Sequence, residues 1–320
     1  MAGLLERLGI ELPVVQAGMG GGLAAHPLAA SVSEAGGLGT IGILAPDDLR
    51  REVATARSLT PKPVAVNLLL PFARRAHWEA AAEADVVVTF WGRPRRRVQR
   101  IWIHQCGSVS EALAARAAGA DAVIAQGREA GGHVRGSLAA LELLARVREA
   151  VGTAYPVLSA GGIADASDVR ARLESGADAA VCGTRFLLTE ESGAHPAYKD
   201  RLVDASDTVL TELFGAGWPA PHRVVANAAT DRWLAGDPRG PGWVRAFHRA
   251  TAPLLSRAPV PLQLGLAATQ RPERPLFGPA AATADGPQSL VDAGPLYAGE
   301  CVARIADVRP AGELTRELAG

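Results

Sequence analysis

The sequence is poor in residues that cross-link or stack. Its three cysteines, Cys106, Cys182 and Cys301, are odd in number and far apart. That leaves no disulfide framework and no Cys-x-x-Cys knuckle for a metal, and it suits a reducing compartment, read here as the cytoplasm. Aromatic residues make up only 5% of the chain, so the core must be built from Ala, Val, Leu and Ile, as closely packed helix-on-sheet layers require. No apolar run approaches the ~18 residues of a membrane span, and the opening Met1 to Arg7 lacks the basic and apolar regions of a signal peptide. A membrane partner is not expected. Nor is there an excess of charge: 33 Lys and Arg balance 33 Asp and Glu. Without a long-range field to draw in polyanions, nucleic acid is not an expected partner either. The local exception is Arg93, Arg95, Arg96, Arg97 and Arg100; no aromatic residues are interleaved there to stack bases, and the run reads as a solvated face.

What the chain has is glycine and short apolar runs, with 48% hydrophobic residues and 35 Gly in 320 residues. To about residue 190 the apolar runs alternate with amphipathic stretches, the rhythm of βαβ units. The spacing predicts strands at Val14 to Gln16, Gly39 to Ile41, Val64 to Asn67, Val86 to Thr89, Ile101 to His104, Ala122 to Ala125, Val157 to Ala160 and Ala179 to Cys182. Helices are expected at Pro27 to Glu34, Asp47 to Arg57, Ser110 to Ala118, Ser137 to Ala150 and Ser167 to Ser175. Ser110 and Ser167 read as N-caps, and Gly119 and Gly176 as C-terminal stops. Eight repeats of one unit point to an α/β fold, a closed (β/α)8 TIM barrel. An open Rossmann sheet is the rival, but it places its glycine fingerprint after the first strand, whereas glycine here also clusters after the sixth, seventh and eighth. From Glu190 to about Pro279 the pattern turns helical and loop-rich, with Trp218, Trp233 and Trp243. The division expected is a barrel of residues 1–189 and 280–320, with a small, mainly helical lobe of 190–279 inserted after strand eight. That lobe should pack on the barrel mouth, and Leu290 to Leu318 should supply the closing helix.

Two glycine-bearing strand ends carry the strongest chemical signal. Val157-Leu158-Ser159-Ala160-Gly161-Gly162 ends in paired glycines, whose N–H groups can approach an anion because no Cβ intervenes. Ala180-Val181-Cys182-Gly183-Thr184 repeats the device one unit later and adds a hydroxyl. Side by side after strands seven and eight, they form an expected phosphate site. Gln126 to His133 follows strand six on the same rim. His133, beyond two glycines, should project from a loop into the cavity, where imidazole can exchange a proton near neutral pH. A structural histidine bonded to a loop carbonyl is the bland alternative. Glu129 and His133 have the i, i+4 spacing of metal ligands, but Gly131-Gly132 between them argues against a helix, and no metal is expected. Gln16 to Gly22 ends the first strand and Asn67 the third, where glycines allow main chain to lie flat on a planar ring and Asn67 offers a donor and an acceptor. His104 and Gln105 also end a strand on this rim.

Taken jointly, these segments resemble one family, the nitronate monooxygenases, formerly 2-nitropropane dioxygenases. The resemblance spans nearly the whole chain and rests on PVVQAGMGG, AGGLGTIG, Asn67, DAVIAQGREAGGHVRG, PVLSAGGIAD, GADAAVCGTRFLLTEES, HPAYKD and GPLYAGECV. It implies a barrel holding FMN, with contacts from Gly18, Met19 and Gly20, from Asn67, from Gln126 and Gly131, from Gly161 and Gly162, and from Gly183 and Thr184. It implies His133 as the catalytic residue. The implied partners are a nitronate or nitroalkane and dioxygen: the nitronate gives one electron to the flavin, and dioxygen helps convert it to a carbonyl compound and nitrite. Association into a homodimer is left open. The chain departs from the pattern at Val181, where the family has glutamine, and in having Lys62 and Lys199 as its only lysines, which puts a lysine-lined substrate pocket in doubt. Two other readings stand: a flavin-dependent enoyl-thioester reductase using NAD(P)H, and a flavin-binding partner subunit without turnover.

Overall fold

The computed structural model describes residues 3–256, 258 and 260–320. Its centre is a ring of eight parallel strands: β1 (Val14–Gln16), β2 (Gly39–Ile41), β3 (Val64–Leu69), β4 (Val86–Phe90), β5 (Ile101–Cys106), β6 (Ala122–Gln126), β7 (Val157–Ala160) and β8 (Ala179–Cys182). Each pairs with the next, and β8 pairs with β1. Closure comes from the parallel bridge between Val15 and Leu38, where the Gln16 N–H donates to the Leu38 carbonyl at 2.9 Å. The fold is therefore a (β/α)8 barrel, without free sheet edges.

Successive side chains on a strand point to opposite faces, and this sets up both the core and the site. On β3, Val64, Val66 and Leu68 pack against the outer helices, while Ala65 fills the barrel interior. The inward set continues with Asn67 and Leu69, which reach a cavity at the strand ends. At the other end the short helix Leu4–Leu8 plugs the barrel, with Leu4 and Leu8 packed among Val15, Val86 and Ile103. Each fully buried Val, Leu or Ile contributes about 1.5–3 kcal/mol of transfer free energy, so alternation alone commits the strands to one register.

The expected helices form as His26–Glu34, Pro46–Leu59, Val109–Ala117, Ala140–Val151 and Ala166–Glu174. Their caps differ from expectation. Ser108, not Ser110, accepts from the Glu111 N–H, and Asp165, not Ser167, accepts from the Ser167 and Asp168 N–H groups. A cap needs extended backbone one position outside the helix, and both expected serines lie within the first turn. Gly119 and Gly176 follow the helix ends with φ of +85° and +94°. No helix joins β4 to β5; residues 91–100 run back outside the barrel, with Val98 packed in the helix-sheet layer. The helix Ala311–Ala319 packs against His26–Glu34 and Ala166–Glu174.

Beyond β8 the chain is mainly helical, with Pro196–Val203, Ala228–Trp233, Gly242–Leu255 and Val260–Ala268. It also carries a small antiparallel sheet that periodicity did not indicate, of Val209–Thr211, His222–Val225 and Leu296–Tyr297. A fourth strand, Gly132–His133, comes from the loop after β6 and pairs His133 with His222. That strand ties the lobe to the barrel mouth. No helix among the described residues is long and apolar enough to cross a membrane.

Candidate active site

A cavity of about 690 Å³ opens at the carboxyl ends of the strands, between barrel and lobe. It gathers all eleven residues singled out in the sequence: Gly18, Met19, Gly20, Asn67, Gln126, Gly131, His133, Gly161, Gly162, Gly183 and Thr184. Gly18 is there out of necessity, because an added Cβ would stand 2.3 Å from the Asn67 Cβ. Val181 and Gln105 also line the cavity. His104, expected on the same rim, does not. It shares the outward face of β5 with Trp102, and its Nδ1 pairs with the Thr89 hydroxyl at 2.8 Å, in keeping with the two-residue period.

The loop after β7 turns through two glycines whose carbonyls are held from behind. Gly161 and Gly162 have φ of +109° and +74°, a region closed to most side chains. Arg172 Nη2 donates to the Gly161 carbonyl at 2.8 Å, and Arg304 Nη2 to the Gly162 carbonyl at 3.2 Å. In a planar trans peptide the carbonyl and the next N–H point in opposite directions. With both carbonyls drawn back to the arginines, the N–H groups of Gly162 and Ile163 face away from them. Beside this loop the helix Thr184–Leu187 begins, and its first N–H groups have no partner within the helix. The Thr184 hydroxyl accepts from the Gly299 N–H at 2.9 Å.

His133 stands across the cavity in an aromatic cluster. Its ring stacks on Trp218 with centroids 3.5 Å apart and planes 16° from parallel, with His222 and Tyr297 at 5.3 and 5.6 Å. Nε2 is sealed from solvent and has no hydrogen-bond partner. Burial, with His222 beside it, drives the imidazole pKa well below the ordinary value, so the ring is neutral at physiological pH. Gln126 holds this segment: its amide nitrogen donates to the His133 carbonyl at 3.1 Å, and its oxygen accepts from the Arg135 N–H at 3.2 Å. One of its amide hydrogens is thus committed to the protein. The Glu129 carboxylate turns elsewhere, accepting from the Ala140 N–H at 2.9 Å.

Arg172, Arg304, Trp218, Tyr297 and Gly299 were not found from sequence. Arg304 meets its partner carbonyl 142 positions away, and only the folded ring brings the two together. Trp218 stood in a loop with glycine on one side and proline on the other, which signals a turn but not what it covers.

The model of one family, described as nitronate monooxygenase, matches this chain over residues 2–102 and 93–320. The chain belongs to that family. A nitronate monooxygenase from Pseudomonas aeruginosa is 37% identical over 283 residues, covering 69% of this chain and 80% of the relative. Also similar, at 34% identity over 262 residues and covering 77% of this chain and 72% of the relative, is "(3aS,4S,5R,7aS)-5-hydroxy-7a-methyl-1-oxo-octahydro-1H-indene-4-carboxyl-CoA dehydrogenase" of Mycobacterium tuberculosis. Among solved structures, FabK from Thermotoga maritima superposes with a TM-score of 0.76 at 31% identity, covering 98% of this chain and 94% of that one. Nitroalkane oxidase from Streptomyces ansochromogenes gives 0.74 at 32%, covering 97% and 95%. As a nitronate monooxygenase family member the chain is a flavin-dependent oxidoreductase.

Proposed function

We propose that the chain binds FMN on the barrel rim and oxidises alkyl nitronates, and nitroalkanes after loss of the α-proton, with dioxygen to carbonyl compounds and nitrite. One observation carries the reading: His133, whose Nε2 has no hydrogen-bond partner, and a loop of backbone donors line the same cavity. The residues present suit a flavin mononucleotide. Gly161, Gly162, Gly183 and Thr184 would hold the phosphate, and Gly18, Met19, Gly20, Asn67, Gln126 and Gly131 would border the ring system. Bound flavin would supply the electron-accepting chemistry, while the protein supplies orientation and a dry pocket.

His133 is the catalytic group in this reading. Its neutral ring accepts the α-proton of an entering nitroalkane; toward an already ionised nitronate it acts electrostatically. Gln126 fixes the segment that presents the ring, and Trp218 excludes water from one of its faces. The three unpaired cysteines support a cytoplasmic setting.

A second reading, an enoyl-thioester reductase taking hydride from NAD(P)H, is favoured by the likeness to the carboxyl-CoA dehydrogenase. Anaerobic mixing of the yellow protein with the nitronate of 1-nitropropane, and separately with NADH, distinguishes the two. Flavin bleaching by the nitronate alone supports the first; bleaching by NADH alone replaces it with the second.

A further inference from the structure

The cavity has two walls of unlike chemistry. The inner wall is the glycine-rich rim and His133. The outer wall comes from the lobe, where Phe247, Thr251 and Leu254 lie at i, i+4 and i+7 on the helix Gly242–Leu255, so one helical face looks into the cavity. Leu266 and Leu276 continue that wall. Phe247, Leu254, Leu266 and Leu276 remain 43%, 77%, 46% and 58% exposed. Four large, partly exposed apolar side chains line one opening, a gathering of the kind that marks a binding surface, since scattered exposure would need no explanation. The second observation is electrostatic. Among the described residues no Asp, Glu, Lys or Arg lines the cavity, and His133 is held neutral.

We infer that the substrate carries an uncharged hydrocarbon part, long or bulky, which lies along this outer wall while the reacting atom sits beside His133. A small nitronate alone would leave the lobe wall wet. A substrate with a carboxylate at its far end would lose water without meeting a counter-charge, a cost the wall cannot offset. The reacting end is that of the oxidation reading above; the hydrocarbon end rests only on the lobe wall and would serve a thioester equally.

The test uses the flavin-loaded full chain. Values of kcat/KM are measured for the nitronates of nitroethane, 1-nitrobutane, 1-nitrohexane and 1-nitrooctane, and for propionate 3-nitronate. The expected rise is up to about fourfold per methylene, the equivalent of ~0.8 kcal/mol per buried CH2, levelling when the wall is covered. Propionate 3-nitronate should fall below the nitrobutane nitronate. Phe247→Asp and Leu254→Asp should each cut the octyl-to-ethyl ratio at least tenfold. A readout free of turnover is the shift of flavin absorbance by octan-1-ol against butan-1-ol, the longer alcohol binding more tightly. If no nitronate is oxidised but the alcohols still bind in order of length, the oxidation reading fails and the hydrocarbon site stands. If nitronates react at rates independent of length and neither alcohol perturbs the flavin, the hydrocarbon site is overturned and the oxidation reading stands. A dimer dissociated by Leu254→Asp, with rates flat in chain length, would assign these side chains to a contact between two copies and equally overturn it.

Discussion

Replacing Arg172 with methionine tests whether the proposed phosphate loop is aimed from behind. The arginine is only 8% exposed, and its guanidinium donates to the Gly161 carbonyl at 2.8 Å. Burial lowers its pKa, and Glu129 and Asp168 oppose that shift by favouring the charged form. Methionine keeps an unbranched stem and removes the donor. A hydrogen bond from a charged group is worth about 1.5–3 kcal/mol. Without it the Gly161 peptide turns freely and the Gly162 N–H loses its direction. If that free energy is spent on orienting the phosphate donors, the Kd for FMN rises about 10- to 100-fold. The assay is fluorescence titration of FMN with the apoprotein, alongside a circular dichroism melt to show that the barrel persists. Arg304→Met, whose bond to Gly162 is longer at 3.2 Å and whose side chain is 48% exposed, should lose less. A folded Arg172→Met protein that binds FMN as tightly as the parent would refute the aiming argument.

Three other expectations concern the same rim and the core behind it. His133→Asn should retain FMN and lose at least a hundredfold in kcat with a nitroalkane, as removal of a general base does; unchanged turnover with flavin bound would remove His133 from the mechanism. Gly18→Ala places a methyl 2.3 Å from the Asn67 Cβ, so the rim must part, and flavin should be lost on gel filtration while the thermal midpoint drops by several degrees. Stability should also fall on acidification. Burial lowers the pKa values of His104 and His222 to about 4, whereas in the unfolded chain both protonate near 6.5. Between those values the unfolded state binds more protons, so stability declines as pH falls from about 6.5 to 4, by a few kcal/mol in all. A melting midpoint constant across that window would show that these rings are not buried neutral.

Most of the fold was legible because a barrel repeats one local unit. The eight strands lie where short apolar runs were bounded by glycine or small polar residues, and β1, β2, β7 and β8 have the expected ends. Errors fell where a choice among neighbours is settled by backbone geometry, as at Ser108 against Ser110 and Asp165 against Ser167. His104 lies near the carboxyl end of β5, as expected, but a position near a strand end says nothing of which face the side chain takes until the register of the whole ring is fixed.

The sequence by itself determined the barrel and its glycine-bearing rim, because period-two alternation and glycine at strand ends are local properties of the chain, while the eleven residues that meet there were implied by the family resemblance. Only the tertiary structure decided what lies behind and above them. The two arginines that turn the Gly161 and Gly162 carbonyls, the Trp218 ring on His133 and the strand pairing of His133 with His222 join segments far apart in the chain. Such contacts depend on ring closure and on how the lobe seats over the mouth, which no local pattern encodes.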